Sequence, residues 1–115
     1  MGPIDLEREP TIQLAAGVKA QVPHGEKIMF SRVTIEEGAE VPLHAHPHEQ
    51  GGCVIEGTLQ LEIEGTSYQL AEGDLYLIPG GAEHCASGVG GSVTVLDVFG
   101  PVREDYAKKR KQCLS

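Results

Sequence analysis

The chain has 115 residues, 40% of them hydrophobic, and we predict one domain over residues 1–115, because this length and apolar content suit one core. A formal net charge of -8 argues against a nucleic-acid partner, since an acidic body repels phosphate. No apolar run approaches the roughly 20 residues of a membrane span, so we expect no membrane partner. The first residues lack the order of a secretory signal, and the three cysteines form no C-x-x-C pair. We therefore expect a cytoplasmic protein.

Glycines recur along the chain and divide it into short segments, a pattern typical of a β-sandwich or barrel. Residues 28–35 and 93–99 are rich in β-branched residues and carry apolar groups on both faces. We predict that both are strands covered on both sides, in part by a second copy of the chain in a homodimer. Between them, Leu59, Leu61 and Ile63 alternate with polar residues, which predicts a strand with one wet face.

The C-terminal residues predict a short helix over 103–112. Pro101 stands just before it, and Glu104 and Asp105 precede a basic run, which is the charge order that a helix dipole favours. The basic run is interpreted as the solvated end of this helix. The fold class is therefore all-β with a short C-terminal helix.

Three histidines in two separate stretches form a candidate metal site. His44 and His46 are two residues apart, so on a strand their imidazoles lie on one face, about 7 Å apart along the chain. His84 supplies a third imidazole from another strand. Ligands of this kind suit Ni, Zn, Fe, Co or Mn, so the sequence predicts one divalent transition metal ion without naming it.

The spacing around these histidines resembles the two motifs of the cupin family, G-x5-H-x-H-x3,4-E-x6-G and G-x5-P-x-G-x2-H-x3-N. The matching positions are Gly38, His44, His46, Gln50 and Gly57 in the first motif, and Gly73, Pro79, Gly81 and His84 in the second. The resemblance implies a jelly-roll antiparallel β-barrel, usually dimeric, that holds a metal ion inside one end. Gly88 stands where the second motif ends in Asn.

The first motif departs from the family at the position of its glutamate ligand, which is Gln50 here. The resemblance implies four metal ligands: His44, His46, Gln50 and His84. With a neutral amide in place of a carboxylate, the ion keeps its full charge, which favours an anionic ligand and Lewis-acid chemistry over oxygen chemistry. Three alternatives remain open: the barrel has lost its metal, Glu49 replaces Gln50 after a one-residue slip that would turn a core face outward, or His48 is an additional ligand.

Asp97 lies on one face of the last predicted strand with Phe99 and two valines. If that face is interior, burial would raise the pKa of the carboxyl unless the ion lowers it. The alternative is that Asp97 caps a turn or pairs with a lysine. Arg32 either points inward as an anion partner or faces solvent.

A closer resemblance covers most of the chain. His-Pro-His-Glu-Gln combined with Asp-Val-Phe-x-Pro-x-Arg-Glu-Asp is similar to the KdgF-type cupins of pectin and alginate breakdown. It implies a metal-dependent enzyme that converts cyclic 4,5-unsaturated monouronates, small anionic sugar acids, into open-chain 4-deoxy-5-keto uronates. By this resemblance Asp97 and Arg103 are catalytic, and Phe99 and Arg103 bind the substrate. The alternatives are a dioxygenase of the quercetinase or acireductone type and a non-catalytic cupin that binds a sugar or organic acid.

Overall fold

Ten strands and one C-terminal helix make up the structure, a computed structural model that describes residues 2–114. In chain order these are β1 (Ile12–Ala15), β2 (Val18–Gln21), β3 (Met29–Ile35), β4 (Glu40–His44), β5 (Glu49–Glu56), β6 (Leu59–Ile63), β7 (Thr66–Leu70), β8 (Leu75–Ile78), β9 (His84–Gly88), β10 (Val93–Gly100) and α1 (Glu104–Leu114). No helix within residues 2–114 has the length and apolar character that crossing a membrane requires.

The strands form two antiparallel sheets. The six-stranded sheet has the order β1-β2-β3-β10-β5-β8, and the four-stranded sheet has the order β4-β9-β6-β7. Their inner faces share one apolar core, to which β3 contributes Val33, β5 contributes Val54 and β6 contributes Leu61. The prediction of an all-β, jelly-roll-like fold with a short C-terminal helix is confirmed, as two facing sheets.

β3 and β10 lie side by side at the centre of the larger sheet and match the two β-branched segments of the sequence. Alternate residues of β3, such as Met29 and Val33, are buried on the inner face. The outer face of the same strand is open within this chain, where Phe30 is 39% exposed and Arg32 is also exposed. A single chain therefore covers only one face of these strands.

Helix α1 packs beside the larger sheet and holds Arg103 at its start. The backbone N–H of Ala107 donates to the carbonyl of Arg103 at 3.0 Å, so Arg103 directly precedes the first helical turn, one residue from the predicted boundary. Further along, the guanidinium of Arg110 donates two hydrogen bonds, of 2.7 and 3.0 Å, to the carboxylate of Glu9. This pair fixes the helix against the segment before β1.

Candidate metal centre and adjoining cavity

The three histidines of the predicted metal site lie together. His44 ends β4 and pairs across the ladder with His84, the first residue of β9. Their ring centroids are 4.3 Å apart, and those of His44 and His46 are 5.6 Å apart. One ligand atom from each of the three lies within 4.8 Å of the others. The interpretation that His44 and His46 share a strand is wrong, because β4 ends at His44 and His46 reaches the cluster from the following loop.

Each histidine is oriented by a backbone carbonyl two residues away. The pairs are His44 Nδ1 with Pro42 O at 2.8 Å, His46 Nδ1 with His48 O at 3.0 Å, and His84 Nδ1 with Ala82 O at 2.9 Å. A carbonyl only accepts, so each Nδ1 carries the hydrogen, and each ring in its neutral form presents an Nε2 lone pair. Such carbonyl contacts commonly fix the tautomer of metal-binding histidines.

The lone pairs converge on a point that lacks a hydrogen-bond donor. His46 Nε2 lies 3.1 Å from Gln50 Oε1, which is also an acceptor, and His84 Nε2 is buried without a hydrogen-bond partner among residues 2–114. Burial, and next the charge of Arg103, lower the pKa of His46 to about 4, so this ring is neutral at pH 7. Burial also lowers the pKa of His84. Facing acceptor atoms repel one another unless a cation lies between them, so the cluster fits a divalent metal ion.

Asp97 lies close to this cluster, on the inner face of β10, and is only 5% exposed. The Tyr76 hydroxyl donates to Asp97 Oδ1 at 2.5 Å, and Gln50 Nε2 donates to Asp97 Oδ2 at 3.1 Å. Burial raises the pKa of Asp97 to about 7, although these two hydrogen bonds act in the opposite direction. The alternatives in which Asp97 caps a turn or pairs with a lysine are therefore wrong.

Gly52 allows Tyr76 and Asp97 to meet. It pairs with Asp97 on one side and with Tyr76 on the other. A Cβ atom at Gly52 would lie 2.2 Å from Tyr76 Cζ and 2.3 Å from Asp97 Oδ1, too close for either side chain to keep its place. The hydrogen bond thus passes over a glycine.

Arg103 lies on the same side of the molecule and is 7% exposed. Its guanidinium lies 3.7 Å from the centroid of the Tyr106 ring and 5.2 Å from that of Phe99. It also donates to both carboxylate oxygens of Asp105, at 3.3 and 2.9 Å. Phe99 in turn contacts the ring of His46 edge to face, with centroids 5.5 Å apart. The aromatic rings therefore link Arg103 to the histidine cluster.

A cavity of about 50 Å³ connects these groups. Its wall includes six of the predicted site residues: His44, Gln50, His84, Asp97, Phe99 and Arg103. This volume holds only a few water molecules and is far below the roughly 300 Å³ of a small ligand pocket. Tyr106 and Arg103, at the start of α1, form part of the wall.

Other residues weighed from the sequence lie outside this wall. Arg32 and Glu49 are exposed, so neither the inward orientation of Arg32 nor a slip that buries Glu49 occurs. His48 is buried but is not part of the three-histidine cluster, and its Nε2 lies 3.3 Å from a Glu104 carboxylate oxygen. The three cysteines are free thiols, and Cys85 lies beside Glu62 rather than the cluster.

Two aromatic residues of the site were not predicted from the sequence. Tyr76 alternates with Leu75 and Leu77 along β8, so it points to the interior, but that pattern does not reveal its contact with Asp97. Tyr106 follows Arg103 by three residues, a spacing that brings side chains together at the start of a helix.

Comparison with known proteins gives one family and several structural relatives. The family model described as a cupin domain matches residues 31–99. The solved structure of KdgF from Halomonas sp. is 28% identical, covers 92% of this chain and 99% of its own, and superposes with a TM-score of 0.82. An RmlC-like cupin from Shewanella frigidimarina is 29% identical, covers 87% and 90%, and has a TM-score of 0.81.

A more distant structure shares the fold alone. Oxalate decarboxylase from Bacillus subtilis is 22% identical, with 89% of this chain and 30% of that chain covered, at a TM-score of 0.78. Comparison with curated protein sequences gives no match.

Proposed function

This chain belongs to the cupin family, and from that premise we propose that it is a metal-dependent enzyme that opens cyclic 4,5-unsaturated monouronates to 4-deoxy-5-keto uronates. The observation that carries the proposal is that a buried acid, Asp97, and a buried cation, Arg103, share one cavity wall with the histidine cluster. The sequence resemblance to KdgF-type cupins and the overlap with KdgF from Halomonas sp. support the same reaction.

We assign the metal to the three histidines and Gln50. The Gln50 amide oxygen faces His46 Nε2, while the amide nitrogen donates to Asp97, which leaves only the oxygen for an ion. A divalent ion held there would supply Lewis-acid polarisation of a substrate oxygen. Imidazole and amide ligands would leave the ion its full charge, so the site would attract an anionic substrate such as a uronate.

We assign to Asp97 the role of delivering a proton to C4 of the substrate. When the ring opens, the bond between C1 and the ring oxygen breaks, the C1 hydroxyl loses a proton to give an aldehyde, and C4 gains one as the enol at C5 becomes a ketone. Substrate and product are therefore isomers, and the residue that serves C4 needs only to deliver a proton. Tyr76 and Gln50 each hold one oxygen of the Asp97 carboxyl group, which fixes its orientation toward the cavity.

We assign to Arg103 the role of binding the substrate carboxylate. Its present partner, Asp105, has a side chain that is 58% exposed and can turn into solvent. A substrate carboxylate can take the place of the Asp105 carboxylate with the same two-point geometry. This exchange would also release the start of α1 and enlarge the cavity, while Phe99 provides an apolar wall.

We further propose that the chain forms a homodimer through the outer face of the six-stranded sheet. Leu75 and Leu77 of β8 are 76% and 74% exposed, and they continue into Leu96 and Val98 of β10. None of the residues lining this groove is charged, although the whole chain carries -8. Two copies could therefore approach here with little charge repulsion.

We also propose a cytoplasmic location, which the three free thiols support.

The test is the loss of unsaturated-uronate absorbance, corrected for spontaneous opening, with metal content measured on the same samples. Asp97→Asn keeps the shape of the side chain but cannot deliver the proton, so kcat should fall about 100- to 10,000-fold with little change in KM. Arg103→Lys keeps the charge but loses the planar fork, so KM should rise. Arg32→Lys, at an exposed position outside the cavity, is the matched control and should behave as wild type.

Three results would overturn this assignment. Wild-type turnover by Asp97→Asn at matched metal content would show that Asp97 does not transfer the proton. Oxygen uptake by the metal-loaded protein, without uronate turnover, would favour a dioxygenase of the quercetinase or acireductone type. Binding of sugar acids without either reaction would favour a non-catalytic cupin.

A further inference from the structure

Ser31 presents a buried hydroxyl to the cavity without a hydrogen-bond partner. The residue lies on the inner face of β3, is 0% exposed, and lines the same cavity as Asp97 and Arg103. Its Oγ has no hydrogen-bond partner among residues 2–114. A buried hydroxyl in this state is destabilising relative to a paired one.

Ser31 lies beside Asp97 on the inner face of the sheet, but the two side chains form no hydrogen bond. They are direct partners in the β3–β10 ladder, so their Cβ atoms are about 5 Å apart on the same face. Both oxygens of Asp97 accept hydrogen bonds from groups on the other side of β10, namely Tyr76 on β8 and Gln50 on β5. The hydroxyl of Ser31 is left facing the cavity from the β3 side.

Fold stability alone does not account for a serine here. The neighbouring inward positions of β3 are Met29 and Val33, and both are apolar. An alanine would fill nearly the same space without an unpaired polar group, and removing such a group is neutral or stabilising. A hydroxyl at this place is therefore available to a ligand. Binding sites commonly contain residues that serve the ligand and do not favour stability.

We propose that the Ser31 hydroxyl binds a hydroxyl group of the sugar acid, that of C3, which adjoins the carbon protonated by Asp97. This inference rests on the proposed function, since it takes Asp97 as the group that serves C4. Ser31 then selects substrates with a hydroxyl beside the reacting double bond. It is a specificity-determining residue and takes no part in the proton transfer.

The experiment compares Ser31→Ala and Ser31→Cys with wild type, using unsaturated galacturonate and protein of matched metal content. Both variants should raise KM about tenfold and leave kcat within about threefold, because the lost bond is present in both the bound and the transition state. Without substrate, Ser31→Ala should unfold at the same temperature as wild type or higher. The control is Thr34→Val, which removes a hydroxyl of the same strand that lies outside the cavity, near Thr94.

The possible results separate the two proposals. If wild type turns over the uronate but Ser31→Ala has the same KM, Ser31 does not bind substrate and the proposed function stands. A lower unfolding temperature for Ser31→Ala in the absence of substrate, with KM unchanged, would assign Ser31 to packing and overturn the inference. If wild-type protein loaded with metal neither binds nor converts the uronate, the proposed function fails and the assignment of Ser31 fails with it.

Discussion

The contact between Tyr76 and Asp97 leads to a prediction about Gly52, which is adjacent to neither of them in the sequence. Gly52→Ala adds one methyl group on the inner face of β5, at a place 2.2 Å from Tyr76 Cζ and 2.3 Å from Asp97 Oδ1. Real Cβ contacts of this length do not occur, so at least one side chain must move by more than 1 Å. The hydrogen bond between Tyr76 and Asp97 is then broken or badly distorted.

The size of the effect follows from two costs. Forcing an extra methyl group into a packed interior typically costs about 1–3 kcal/mol, and loss of a hydrogen bond to a carboxylate costs about 1.5–3 kcal/mol. Together they predict a loss of about 2.5–6 kcal/mol, which is a large part of the stability of an ordinary domain. For a chain of this length that corresponds to a fall in Tm of about 10–25 °C.

The assay is calorimetric unfolding of metal-free Gly52→Ala beside wild type, with Gly51→Ala as the matched control. Gly51 is the preceding residue on β5, and a Cβ there would meet Leu77 Cδ2 at 3.4 Å, an ordinary contact on the outer face. Alanine in a strand is about 0.5–1 kcal/mol better than glycine, so the control should unfold at or slightly above the wild-type temperature. Equal Tm values for the two variants would refute the proximity of Tyr76 and Asp97 over Gly52.

Two further predictions test the metal site and the dimer. His46→Ala should leave a folded protein that binds metal about 100-fold or more weakly, because one of three converging imidazoles is lost. Elemental analysis measures the bound metal, and His24→Ala, between β2 and β3 and outside the cluster, is the control. Full metal occupancy in His46→Ala would remove His46 from the site. Leu77→Asp should yield a monomer of about 12.3 kDa in sedimentation at micromolar concentration, whereas Tyr68→Asp, on the other sheet, should not change the association state. A monomeric wild type under the same conditions would show that the proposed dimer does not form.

Local patterns of the sequence account for the strands and the helix because these depend on near neighbours. The alternation in residues 93–99 correctly put Asp97 and Phe99 on one face, and both are buried there. The charge order after Pro101 located α1 to within one or two residues of its observed ends. The fixed spacings around His44 and His84 identified three histidines that do converge.

Contacts across the sheet could not be predicted in the same way. Tyr76 meets Asp97 because β5 lies between β8 and β10 and contributes a glycine at the crossing point, and neither strand order nor register can be obtained from the sequence of one segment. His46 was assigned to the strand of His44 because alternation was assumed to continue, whereas β4 ends at His44, two residues before His46. The partners of Arg103 depend on how the first turn of α1 lies against Phe99, which is a tertiary contact.

The contact of Gln50 with Asp97 favours a neutral amide over a carboxylate at this position. Its nitrogen lies 3.1 Å from Asp97 Oδ2, so a glutamate at this position would place two carboxylates in contact in the interior. At that distance two like charges repel by about 5 kcal/mol at an effective dielectric constant of 20, and such a pair avoids the cost by retaining a proton. The proton would then be shared between the two acids, and Asp97 could not fill the separate role proposed for it. With the amide, one end of the side chain faces His46 and the other donates to Asp97, so the proposed metal site and the proposed proton-transfer group are coupled through a single neutral residue.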